Sequence, residues 1–222
     1  MKRLILIMVL GIFVLVSTVV AQQKPFVFGV RFAPNIGWLN PEEKGFKNDG
    51  VHIGFSWGVI TEFFLMENYA VVTGFDVVYL YPSMKYPTTL NVDNFTWDAD
   101  LERDYRLRYV EIPLALKMRT NSFGKFRFYG MVGVGTGVLL SARADDRYFY
   151  GNTEYTQDDV DIYDRIVLFR ESLILGLGLE YSISKSTVLH VAPRFDNGFT
   201  NILKGDDKAK ANFVELSIGI VF

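Results

Sequence analysis

The chain ends in a run that few architectures can accept. Val214, Leu216, Ile218, Ile220 and Phe222 are apolar at every second position, with Glu215, Ser217 and Gly219 between them. Successive side chains of a strand point to opposite faces, so this segment presents one greasy face and one polar or small face. The pattern recurs. Val51, Ile53, Phe55, Trp57 and Val59 oppose His52, Gly54, Ser56 and Gly58, and Val110, Ile112, Leu114, Leu116 and Met118 oppose Glu111, Ala115, Lys117 and Arg119. Phe126, Phe128, Val132, Val134 and Val138 oppose Arg127, Gly133, Gly135 and Gly137, and Leu173, Leu175, Leu177 and Leu179 oppose Gly176, Gly178 and Glu180. A soluble sandwich buries its apolar face between sheets, with strands of roughly 5 or 6 residues. Here the runs are longer, the bulky face is continuous, and the opposite face mixes glycine with charge. A narrow membrane barrel needs that arrangement: lipid meets the bulky face, while small or ion-paired side chains fill the interior.

The expected fold is therefore all-β, a transmembrane antiparallel β-barrel of about eight strands. The pattern places them at Phe26–Trp38, Val51–Phe64, Tyr69–Tyr81, Tyr105–Arg119, Lys125–Ser141, Leu168–Ile183, Thr187–Phe195 and Asn212–Phe222. Connections then alternate between short (Leu65–Asn68, Thr120–Gly124, Ser184–Ser186) and long (Leu39–Gly50, Pro82–Asp104, Ala144–Val167, Asp196–Ala211). Short periplasmic turns and long extracellular loops match outer-membrane barrels, and an even strand number puts both termini in the periplasm. Phe26, Phe63, Phe126, Tyr181 and Phe222 are expected in the periplasmic aromatic girdle, and Trp38, Tyr79, Tyr81 and Phe213 in the outer one.

Met1-Lys2-Arg3 followed by the apolar run to Val20 reads as a signal peptide over residues 1–21, with cleavage after Ala21 and the barrel domain over 22–222. The expected location is the outer membrane after export. Cysteine is absent, which excludes a lipid anchor on an N-terminal cysteine and a disulfide-stapled scaffold. With 23 Lys+Arg against 25 Asp+Glu there is no basic excess to mark a nucleic-acid partner.

Arg31, Glu62, Asp76, Glu111, Lys117, Arg119, Arg127, Glu180, Arg194 and Glu215 all fall on the inward face. Buried charges persist when partnered, so these ten are expected to form an ion-paired network that plugs the lumen. The only histidines, His52 and His190, also point inward but lie far apart, which gives no catalytic pair and no histidine-based metal site. Gly133, Gly135 and Gly137 at period two make room inside the barrel; no helix or acidic residue follows to make them a nucleotide loop. Asp158-Asp159-Val160-Asp161 lies in an acidic loop and lacks the glycine-centred spacing of a calcium hand. Pro113 has no N–H to donate and should cost the sheet a bulge or a ladder bond. No catalytic residue, metal or cofactor is expected.

Two segments resemble the PorT-like outer-membrane barrels of Bacteroidota: Tyr109-Val110-Glu111-Ile112-Pro113-Leu114-Ala115-Leu116-Lys117 and Phe195-Asp196-Asn197-Gly198-Phe199-Thr200-Asn201-Ile202-Leu203. The alternating Val214, Leu216, Ile218, Ile220 and terminal Phe222 are similar to the signal read by the outer-membrane assembly machinery. The resemblance implies a non-enzymatic barrel with a structural or accessory role in the cell envelope. It implies as partners outer-membrane lipid and glycolipid, the assembly machinery, and envelope or secretion proteins, including those of type IX secretion. An adhesin or ligand-binding barrel acting through its long loops is the alternative; an outer-membrane enzyme or small channel is a further one.

Overall fold

The computed structural model describes residues 26–92, 95–205 and 208–222; the signal-peptide reading over 1–21 lies outside them. The strands are β1 (Phe26–Pro41), β2 (Lys47–Met66), β3 (Tyr69–Leu80), β4 (Pro82–Val92), β5 (Phe95–Arg119), β6 (Phe126–Tyr150), β7 (Thr153–Asp161), β8 (Phe169–Ser182), β9 (Val188–Asn201) and β10 (Ala209–Val221). All pairings are antiparallel. β1 pairs with β2, β2 with β3, β3 with β5, β5 with β6, β6 with β8, β8 with β9, and β9 with β10. β10 returns to β1, with Ile220 opposite Val30 and Glu215 opposite Asn35, and this seam closes a ring of eight. β4 resumes the path of β3 beyond Tyr81 and bridges β5 to the start of β2, while β7 leans on the upper end of β6. Closure removes the sheet edges that would otherwise carry unpaired backbone groups into lipid.

Phe26 lies opposite Phe63, and Val221 opposite Val188, at the end with the short turns. Both described ends of the chain therefore sit on the periplasmic side. Outward side chains there and through the middle are large and exposed: Phe28, Val30, Phe32, Ile53, Trp57, Ile112, Leu114, Phe128, Leu177 and Leu216 among them. Their partners in alternation are buried, including Arg31, Glu62, Glu111, Lys117 and Glu215. This is a hydrophobic protein turned outward, and bulky apolar surface facing the hydrocarbon is its resting state.

Phe26 with Phe63, Phe28 with Phe222 and Phe126 with Tyr181 make aromatic pairs near the periplasmic rim. Near the outer rim Trp38 stacks on Phe195 and Tyr79 on Phe55. Phe213 departs from the expectation. It is fully buried inside the barrel because it shares the face of Glu215 rather than that of Val214.

The connections read as loops at Pro82–Asp104 and Ala144–Val167 are mostly strand. Apolar alternation there is partial, with Ala99, Leu101, Tyr105 and Leu107 turned inward and buried, and the ladder is joined by cross-strand charge: Glu102 faces Arg147 and Arg103 faces Asp146 across β5 and β6. The hairpins thus project well beyond the membrane as ordered sheet. β9 likewise runs through Asp196-Asn197-Gly198, a sequence that reads as a turn. Gly198 serves close packing instead, since a Cβ there would overlap the carbonyl oxygen of Ala211.

Pro113 interrupts the ladder without shifting it. β3–β5 pairing is missing opposite Ile112 and Pro113 but resumes in the same register, with Thr73 opposite Leu114 and Asp76 opposite Glu111. Gly74 lies in the gap at φ 155°, pressed so close to Val59 that no side chain fits. A bulge does occur higher up, between Arg108 and Tyr109 on β5, where β6 inserts Leu140.

Candidate functional site: a two-layer lumen

Inward residues of the lower barrel build two ionic layers. Nearest the periplasm, the Lys117 ammonium lies 2.6 Å from both Glu62 Oε1 and Glu180 Oε1 and 3.2 Å from His190 Nδ1. It also sits 4.2 Å from the centre of the Tyr129 ring, a cation–π contact in a desolvated place. Arg119 approaches Glu180 Oε2 at 3.6 Å and covers the Phe64 ring at 4.3 Å.

The second layer crosses the barrel at mid-height. Arg31 donates to both oxygens of Asp76, at 2.7 and 2.5 Å, and to Glu215 at 2.6 Å. Ser56 donates to the other Glu215 oxygen at 2.7 Å. Arg194 donates to Glu111 at 2.8 Å and lies 2.9 Å from Glu215. Arg170 donates to Glu111 at 3.2 Å, to Asp196, and to the carbonyl of Ala211 at 2.8 Å. Ser172 completes Asp196 at 3.0 Å. Two-oxygen and two-nitrogen contacts of this kind orient as well as bind, which arginine can do and lysine cannot.

Nine of the ten residues expected in the network are in it. Arg127 is not. It is half-buried at the periplasmic mouth, opposite Glu180 in register, but both Glu180 oxygens are already engaged by Lys117 and Arg119. Arg127 instead lines a vestibule of about 270 Å³ with Glu62, Arg119, Lys185 and His190. His52 is exposed at the outer end of β2 rather than inside the lumen. His190 is buried beside Lys117. Arg170 and Asp196 belong to the network and were not singled out in the sequence, although Arg170 shares its face with Ile174, Gly176 and Gly178.

Above the ionic layers the lumen is apolar. Leu39, Leu80, Met84, Leu107, Leu139 and Phe213 pack with Ile162, Ile166, Ile202 and Leu203 from the last two outer connections. These connections are zipped together: Val167 N–H donates to the Ile202 carbonyl at 2.7 Å and Lys204 N–H to the Arg165 carbonyl at 2.8 Å. The lumen is thus plugged by ion pairs below and capped by an apolar core above. Glycines make space for this filling. A Cβ on Gly135 would press on the Glu111 carboxyl, and one on Gly178 would overlap the Tyr129 ring.

Still higher, outside the membrane, Arg103 makes a two-point contact with Asp146, both bonds 2.6 Å. Burial works against the Arg103 charge, but the Asp146 contact outweighs it and holds the guanidinium ionised more firmly than usual. Burial also pushes the neighbouring Tyr105 phenol well above its ordinary range.

Among the described residues, Glu62, Glu180 and His190 form a group able to hold a metal ion, with ligand atoms all within 4.8 Å of one another. Lys117 occupies its middle and supplies the positive charge itself. Replacing Lys117→Ala should therefore destabilise the barrel by about 3–5 kcal/mol, the cost of orphaning buried carboxylates. Zn²⁺ should restore part of that loss in the variant and leave the parent unmoved, read as denaturant midpoint with and without metal. Asp158-Asp159-Val160-Asp161 makes no comparable group, since Asp159 is paired with Arg106 and Arg143.

The chain belongs to the outer membrane protein beta-barrel domain family, which matches residues 20–204. It is an outer-membrane protein. No curated protein sequence is significantly similar to it. Similar solved structures include Neisserial surface protein A, 11% identical at a TM-score of 0.49, covering 89% of this chain and 96% of that one. Another is Ail, the attachment invasion locus protein of Yersinia pestis, in complex with the heparin analogue sucrose octasulfate. It is 18% identical at a TM-score of 0.36, covering 89% of this chain and 97% of that one. The outer membrane protease OmpT from Escherichia coli is 8% identical at 0.38, covering 93% and 100%. None of these likenesses bears on ligand or activity.

Proposed function

We propose that the chain is a non-enzymatic, non-conducting barrel with a structural or accessory role in the cell envelope, holding ordered hairpins above the outer membrane. The observation that carries this reading is the doubly closed lumen. A central void of only about 40 Å³ remains among Arg31, Asp76, Tyr129, His190 and Arg194, and the apolar cap lies above it. An eight-stranded interior is just wide enough for side chains. The reading predicts no steady conductance in planar bilayers, and stable single-channel steps from the purified protein would end it.

The finer form of the proposal is PorT-like, with partners among envelope or type IX secretion proteins. Its support is the two motif segments, whose residues turn out to build the lumen: Tyr109, Glu111 and Lys117 in one, Asp196, Ile202 and Leu203 in the other. Cross-linking in native outer membranes should recover such components, and a barrel recovered alone would remove this form. One observation favours a second reading, a surface-binding barrel. Trp97 and Tyr155 are exposed on the projecting hairpins, with Trp97 near Tyr150 and Tyr155 near Tyr148, each at 6.1 Å between ring centres. Rings on a rigid sheet offer contact area at low entropic cost.

A further inference from the structure

We propose that Arg106, Arg108 and Arg143 form a binding site for the phosphate of an outer-leaflet glycolipid. On β5 the outward residues run Met118, Leu116, Leu114, Ile112 and Val110, then change abruptly to Arg108 and Arg106. β6 makes the same change after Val138 and Leu140, to Ser141 and Arg143. The apolar stretch of β5 is about 26 Å of strand at ~3.3 Å per residue, or about 20 Å of height at a ~40° tilt, close to the ~25 Å band of these barrels. The arginines thus stand where the hydrocarbon ends on the side away from the short turns, at the headgroups of the outer leaflet.

The three cations share a mostly polar cleft of about 220 Å³ with Tyr79, Tyr81, Leu107 and Ser141. Arg108 is exposed, 4.8 Å from the Tyr79 ring centre, and has no ion-pair partner among the described residues. Arg106 and Arg143 lie directly opposite each other across β5 and β6. Like charges placed so repel and weaken the sheet. The chain holds them together from above: Arg106 pairs with Asp145 at 2.9 Å and with Asp159 at 2.8 Å, and Arg143 pairs with the same Asp159. Asp159 does this from a left-handed backbone at φ 56°, a conformation most side chains avoid. Its N–H is held by Asp145 at 2.8 Å. The carboxylates are all on the solvent side, so the membrane-facing side keeps an uncompensated guanidinium. Arginine forks fit phosphate oxygens, and the tyrosines suit the sugar–hydrocarbon boundary. Outer-leaflet glycolipid is the phosphate-bearing molecule at that depth.

The test uses the folded full barrel in detergent, with bisphosphorylated lipid A, dephosphorylated lipid A and inorganic phosphate as probes, and retained lipid counted by native mass spectrometry. The bisphosphorylated form should be retained and its dephosphorylated counterpart not. Arg108→Ala should lower retention about tenfold, the worth of a charge-assisted contact. Lys125→Ala, which removes an exposed cation at the opposite end, should leave retention unchanged. Arg108→Gln serves as a second variant, and heat-modifiable migration checks that each variant is folded. Equal retention of both lipids overturns the proposal. So does equal retention by the arginine variants and the parent. Displacement of lipid A by inorganic phosphate at comparable concentration would overturn the glycolipid as the source.

Discussion

Replacing Arg194→Met should cost the barrel about 3–5 kcal/mol, because it leaves two guanidiniums, Arg31 and Arg170, to compensate four buried carboxylates. Arg194 touches Glu111 and Glu215 directly and stands 3.9 Å from Asp76 and 4.0 Å from Asp196, so one change exposes four carboxylates to one another. Urea-induced unfolding in detergent or liposomes, followed by gel migration, reads the loss directly. The companion variant Glu111→Gln should behave very differently. In this layer Arg31, Arg170 and Arg194 face Asp76, Glu111, Asp196 and Glu215, one carboxylate more than there are guanidiniums. Neutralising Glu111 balances the count and keeps the shape, and its expected cost is within about 1 kcal/mol. A layer whose charges act as a network gives this asymmetry. Equal losses for the two variants would mean that packing volume, not charge, sets the stability.

The second large effect is expected at Phe213→Ala, with a loss of about 3–5 kcal/mol from a buried aromatic removed without collapse of the site. Phe213 is wholly buried in the apolar cap, and the guanidinium of Arg170 lies 5.3 Å from its ring centre. Ile36→Ala provides the contrast. Ile36 is exposed toward lipid, and its loss should cost much less, because the hydrocarbon refills the space. The two variants separate an interior phenylalanine from one in a lipid-facing girdle by unfolding midpoint alone.

These residues also show what could be read without coordinates. Period-two alternation was legible wherever one face meets lipid, because most outward positions there are apolar. It therefore located the membrane-spanning strands and nine of the eleven charges that interlock, missing Arg170 and Asp196. The projecting halves of β5 and β6 obey no such rule. Their outer face meets water and carries charge, and the inner face of Ala99, Leu101, Tyr105 and Leu107 is broken by Arg103, so Glu102 opposite Arg147 and Arg103 opposite Asp146 look like an acidic-basic loop until the register is known. Asp196 failed for a different reason: Asn197-Gly198 is a turn signal locally, and only the approach of Ala211 explains the glycine. The apolar cap was invisible because Ile162, Ile166, Ile202 and Leu203 belong to connections, where no periodicity applies. His52 shared the right face but lay above the level at which that face is enclosed.

The ionic layers join residues that are far apart along the chain. Arg31 meets Glu215 across 184 positions, and Lys117 meets Glu62 and His190 across 55 and 73. The β1–β2 hairpin entering the bilayer alone would carry Arg31 and Glu62 into hydrocarbon without their partners, which is strongly opposed. Arg31 on β1 finds its carboxylates only when β3 and β10 are both in place. Assembly by successive hairpins is thereby discouraged, and the seam between first and last strands must come together before the interior gives up its water. The wiring of the lumen works as a checkpoint on completion: a chain missing its final strand keeps a wet, charged, open interior and has no stable place in the membrane.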